Sequence, residues 1–176
     1  MKTKLSTRSI VIAGMLGAIA IFLGATGIGI FPVPTPAGKA TIMHVPAIIG
    51  GVIEGPIVGA LVGLIFGIFS FTSATSVMAS DPIVAILPRI FIGVVAYYVY
   101  YLSGKNKNWG SALAAIAGTL TNTIGFLGIS VLRGYLPLKA AAFSVVTNAL
   151  PEIIFAVVIV VILVKALDRF KLSSAK

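Results

Sequence analysis

Nine of the thirteen lysines and arginines in this chain of 176 residues stand in three short places, and almost everything between them is apolar. Lys2, Lys4 and Arg8 open the chain, Lys105 and Lys107 share one loop, and Lys165, Arg169, Lys171 and Lys176 close it. Basic residues that flank hydrophobic spans stay on the cytoplasmic side of a membrane. The layout therefore predicts an all-α integral membrane protein and its orientation. Only 10% of residues are charged and 59% are hydrophobic, against about 25% charged in soluble domains. Lipid must be part of the solvent for such a chain. The net charge of +9 needs no nucleic-acid partner, because the membrane boundary already explains where the basic residues lie. The absence of cysteine excludes disulfides, thiolate metal sites and cysteine nucleophiles.

Four stretches have about the 20 residues that a bilayer core requires: Ser9–Ile30, Pro82–Leu102, Trp109–Leu132 and Phe143–Leu167. The first follows a basic start, but its apolar run exceeds the roughly 7–15 residues of a secretory signal, so it reads as a retained span. Thr41–Thr72 is either one long helix or two short ones broken at Glu54-Gly55-Pro56, since Gly-Pro signals a turn and proline disfavours a helical residue before it. Charge decides between them. With six spans, a cytoplasmic start and Arg89 set aside, nine basic residues fall inside and three outside; with five spans, five fall inside and seven outside. The positive-inside rule selects six spans, with both termini cytoplasmic and residues 1–176 forming a single membrane domain. The short pair is expected at about Ala40–Ile53 and Pro56–Phe71. The first member, at roughly 21 Å, is too short for a core of roughly 30 Å and should pack inside the bundle. Gly50, Gly51, Gly59, Gly63 and Gly67 suit close backbone approach. Three loops lie outside: the proline-rich Phe31–Lys39, Ser73–Asp81 and Gly134–Ala142. Tyr97, Tyr98, Tyr100, Tyr101 and Trp109 form interfacial anchors.

Ionisable groups inside a span are costly and therefore informative. Arg89 follows Pro88 about 10 Å into its helix. A guanidinium there suits a substrate carboxylate, or a structural ion pair with Glu152. Pro88 also frees a backbone carbonyl that some group must satisfy. Glu152 lies at a matching depth, roughly 13 Å, with Asn148 one turn away on the same face. Asn122, in Gly118-Thr119-Leu120-Thr121-Asn122-Thr123, is either interhelical glue or a ligand contact. His44, a lone histidine at the start of the second helix, is a cap, a core residue or a contact; without partners it is no metal site. Glu54 sits in the cytoplasmic turn, where it is expected to be solvated or to bind a partner. No phosphate loop, Gly-x-Ser-x-Gly or His-Glu-x-x-His motif is present, so no enzyme, cofactor or metal is expected.

Across essentially its whole length the chain resembles the substrate-binding S component of energy-coupling factor (ECF) vitamin transporters. The resemblance is carried by Thr41-Ile42-Met43-His44-Val45-Pro46, by Asp81-Pro82 through Leu87-Pro88-Arg89, by Gly118 to Thr123, and by Asn148-Ala149-Leu150-Pro151-Glu152. These stretches look like the branch that binds pantothenate. The resemblance implies a six-helix bundle in a prokaryotic plasma membrane that captures a vitamin at the outer face, with contacts from Arg89, Asn122, Asn148, Glu152, His44 and Thr119. It implies a membrane scaffold subunit and two cytoplasmic ATPases as partners, and a tilting of the loaded bundle that turns its pocket inward. Family first helices pack on the scaffold through Ala-x-x-x-Ala; here Ala13 with Gly17 and Gly14 with Ala18 stand in for it. Another B-type vitamin or precursor, such as pyridoxine or hydroxymethylpyrimidine, and an autonomous secondary carrier are the alternative readings.

Overall fold

A computed structural model describes residues 5–32 and 39–173. The order is α1 (Thr7–Ala25), β1 (Ile30–Pro32), β2 (Lys39–Thr41), α2 (Val45–Glu54), α3 (Pro56–Thr72), α4 (Pro82–Leu102), α5 (Trp109–Leu132) and α6 (Leu138–Ser173). Four of the helices, α1, α4, α5 and α6, are long and apolar enough to cross a membrane. By length α3 reaches about 26 Å and α2 only about 15 Å.

Local chemistry explains most boundaries. Ser6 caps α1, accepting the N–H of Ser9 at 3.1 Å. The helix ends five residues short of the expected Ile30, because Gly27 takes a positive φ of 75° and turns the chain. Asp81 caps α4 through the N–H of Ile83 at 2.9 Å, and Pro82 follows in the first turn, where its missing N–H costs nothing. Gly55, at φ 107°, breaks α2 from α3 at the position the sequence marks. Two starts differ from expectation by five residues each. α2 begins at Val45 rather than Ala40, which places Pro46 in the first turn; a helix already running from residue 40 would clash with the proline ring. The freed segment pairs instead, with Ile30 opposite Thr41, Phe31 opposite Ala40 and Pro32 opposite Lys39 in an antiparallel hairpin. α6 begins at Leu138 rather than Phe143, and its first turn closes when Ala141 donates to the carbonyl of Pro137 at 3.0 Å.

α2 is the hub. Val45 to Val52 are all buried, and α2 touches each of the other five helices. A polar backbone surrounded by protein on every side needs no full crossing of the bilayer. α3 and α4 make the most extensive helix contact, through a ladder of glycines. A methyl group on Gly51 would strike the backbone of Gly93, one on Gly59 would strike Gly51 and Gly93, one on Gly63 would strike the carbonyl of Arg89, and one on Gly67 would strike Ile86. Outside, the bundle is greasy: Ile10, Val11, Met15 and Phe22 on α1 and Val146, Ile154 and Ile162 on α6 are exposed, the surface a lipid-facing helix presents. At one end Arg8 of α1 pairs with Glu54 of the α2–α3 turn at 3.2 Å. Glu54 is thus an internal tie between elements rather than a free carboxylate. The hairpin and residues 73–81 lie at the opposite end.

Candidate functional site

Behind the hairpin lies a cavity of about 430 Å³, lined by side chains from four helices together with Ile30 and Thr41 of the hairpin and residues of the 73–79 segment. It falls within the roughly 300–1,000 Å³ of ordinary small-molecule sites. Arg89, Asn122, Asn148 and Glu152 all reach it. They come from α4, α5 and α6; because α6 starts at Leu138, Glu152 lies about 21 Å along its helix and Arg89 about 10 Å along α4, so the expected match in depth is not kept although both residues reach the cavity.

Arg89 is built into place by its neighbour. Pro88 has no N–H to offer the carbonyl of Val84, four residues earlier, and Nη1 of Arg89 donates to that carbonyl at 2.7 Å. The proline bulge fits against Gly125 of α5, where a Cβ would lie 2.7 Å from Cβ of Pro88. The Arg89 backbone packs on Gly63 of α3. The guanidinium stands 4.5 Å from the ring centre of Phe126 and 5.6 Å from that of Phe66, held by cation–π attraction. Among the described residues its Nε has no hydrogen-bond partner, nor has Oδ1 of the buried Asn122. A donor and an acceptor are thus unpaired on two residues that line the same cavity, and a buried polar group without a partner is expensive.

Glu152 behaves differently. Oε1 accepts the backbone N–H of Thr41 at 2.6 Å, and Oε2 accepts the hydroxyl of Thr123 at 2.9 Å. Among the described residues no salt bridge joins it to Arg89, so the structural ion pair suggested by their depths is not formed. His44 and Thr119 are absent from the cavity lining. Both are fully buried, and Nε2 of His44 lies 2.9 Å from Oγ1 of Thr119, tying the start of α2 to α5. His44 makes no side-chain cap.

Several lining residues escape the sequence reading. Thr123 and Phe126 lie on the same face of α5 as Asn122 and Thr119, a spacing that could have flagged them. Phe66 sits within the glycine ladder with no such signal. Asp81 has a second function beyond capping: Oδ2 accepts from Nε of Arg133 at 3.1 Å and from the hydroxyl of Tyr135 at 3.2 Å. This anchors the end of the 73–81 segment to the far end of α5. Partial desolvation opposes ionisation of Asp81, but the N–H of Ile83, the Tyr135 hydroxyl and the Arg133 guanidinium outweigh it and hold the carboxyl below its ordinary range.

The family model of the ECF transporter substrate-specific component matches residues 8–164, the whole bundle as far as the last turns of α6. The chain belongs to this family of ECF substrate-specific components. A relative is the pantothenic acid transporter PanT of Lactococcus lactis subsp. cremoris, 34% identical over 174 residues, covering 84% of this chain and 85% of PanT. As an ECF component the chain is part of a transporter and not an enzyme, and its apolar helices fit a membrane protein. The small residues of α1 divide into two sets in this component. Ala13 and Gly17 are buried in the bundle, Gly17 against Ile65 of α3, whereas Gly14 and Ala18 are exposed and Gly14 has open space beside it. Of the four small residues expected on the scaffold face, Gly14 and Ala18 remain on the outer surface of α1, while Ala13 and Gly17 are used inside the bundle.

Proposed function

We propose that the chain captures pantothenate at the extracellular face and hands it inward with a scaffold subunit and two ATPases. The reading rests on one observation: a buried arginine with an unpartnered Nε lines a cavity with Asn122 and Asn148, in a chain related to a pantothenic acid transporter. The guanidinium takes the vitamin's carboxylate, because its planar donors match that geometry. Asn122 and Asn148 meet the hydroxyls and amide. The aromatic faces of Phe66 and Phe126 give the cavity apolar walls for the dimethyl segment and fix the cation's direction. In this reading residues 1–176 form one domain of the prokaryotic plasma membrane. Its six helices run with both termini cytoplasmic, and α2 and α3 together make one return path.

Binding measured by calorimetry on purified protein tests the assignment. Pantothenate should bind the wild type, and Arg89→Ala should weaken it about 100-fold. That corresponds to about 3 kcal/mol, the upper range for a charge-assisted hydrogen bond. The uncharged alcohol analogue should bind both proteins equally. Equal pantothenate affinity in the two proteins would remove Arg89 from the site, and a preference for pyridoxine or hydroxymethylpyrimidine would replace the vitamin. Uptake by liposomes holding this chain alone, without ATP, would replace the coupled mechanism with a carrier.

A further inference from the structure

A carboxylate inside a membrane protein invites a ligand-binding role, but both oxygens of Glu152 already hold protein donors. The more telling donor is the backbone N–H of Thr41, at 2.6 Å. Thr41 ends β2 and lies opposite Ile30 of β1, and both residues line the cavity. The hairpin is therefore one wall of the cavity, and Glu152 grips it by the main chain. A second contact lies three residues along α6, where Phe155 stacks on Phe31 of β1 with ring centres 5.1 Å apart and planes at 10°. Thr123 on α5 holds the other oxygen and keeps the carboxylate aimed. Pro151 directly precedes Glu152, as Pro88 precedes Arg89, so each helix is perturbed where its charged residue meets the cavity.

We propose that Glu152 is a positioning residue, a latch that pins the β1–β2 hairpin against α6 and sets how slowly a bound molecule leaves, without contacting that molecule itself. The inference rests on the vitamin-site reading of the cavity. A carboxylate is a stronger acceptor for a backbone N–H than any neutral side chain, and the buried setting strengthens the bond further. Contacts that hold a closed state act mainly on dissociation.

The test compares wild type, Glu152→Asp and Thr123→Val. Glu152→Asp keeps the charge but falls one methylene short of Thr41. Thr123→Val leaves the carboxylate in place and removes its aiming hydroxyl, which guards against a misfolded Glu152 variant. Two quantities are read: amide hydrogen exchange at Thr41 in the ligand-free protein, and the association and dissociation rates of radiolabelled pantothenate. Both variants should exchange Thr41 about tenfold faster while the interior amides of α4 and α5 stay as in wild type. Pantothenate should leave about tenfold faster and associate within about twofold of the wild-type rate. Faster release with wild-type exchange at Thr41 would make Glu152 a direct ligand contact and overturn the latch. Faster exchange with unchanged release would show that the hairpin does not govern escape, and would overturn it equally. A wild type that binds no pantothenate would defeat the vitamin assignment separately, and exchange at Thr41 would still decide whether Glu152 pins the hairpin.

Discussion

Arg89 and Asp81 show how single residues serve structure and site together. Arg89 repairs the carbonyl that Pro88 leaves open, so the residue best suited to hold an anion is also part of its own helix. A lysine could keep the charge but has neither the planar fork nor a second arm for the cavity. Asp81 joins three elements through the start of α4, Arg133 and Tyr135. Its carboxyl stays ionised to lower pH in the folded protein than in the unfolded chain. The stabilisation is therefore complete above the unfolded value, about pH 3.9, and is lost as the pH falls through the lower folded value. Thermal unfolding in detergent between pH 5 and pH 3 should show this loss in wild type. Asp81→Asn should be less stable at neutral pH and flatter across the acidic range.

At the scale of elements, the glycine ladder between α3 and α4 does more than shorten a distance. Gly63 meets the carbonyl of Arg89 itself, and Gly125 meets Pro88, so two neighbouring helices clasp the irregular turn that carries the cation. Gly63→Ala forces these backbones apart. Overpacking of this kind costs about 1–3 kcal/mol, and it shifts Arg89 relative to Asn122. A lowered melting temperature together with weakened pantothenate binding is the expected result. Gly14→Ala serves as the comparison: Gly14 has open space beside it, so both quantities should stay close to wild type. Ligand binding that survives Gly63→Ala undiminished would separate the ladder from the site.

For the whole molecule, the two ends have different characters. One end gathers Arg8, Glu54 and Lys105 with Tyr97 and Tyr100 around the α2–α3 turn; the other carries the hairpin, the 73–81 segment and the cavity. The proposed orientation, drawn from the charge bias, puts the first end in the cytoplasm and the second outside. The lack of native cysteine makes this easy to check in whole cells. Val77→Cys, on the exposed 73–81 segment, should react with a membrane-impermeant maleimide in intact cells. Asn106→Cys should react only after lysis. The reverse pattern would invert the proposed orientation.

Features that depend on neighbours along the chain were readable from residues alone. Asp81-Pro82 marks the start of α4, and Gly55-Pro56 the break between α2 and α3. Each rests on short-range physics: a cap and a fixed φ. The hairpin at Ile30–Pro32 and Lys39–Thr41, the pairing of His44 with Thr119, and the choice of Thr41 over Arg89 as the partner of Glu152 were not readable. These contacts join segments far apart in sequence, such as Thr41 and Glu152. Which of several satisfactory partners a buried polar group takes is settled only when helix packing brings one of them within about 3 Å and leaves the others out of reach.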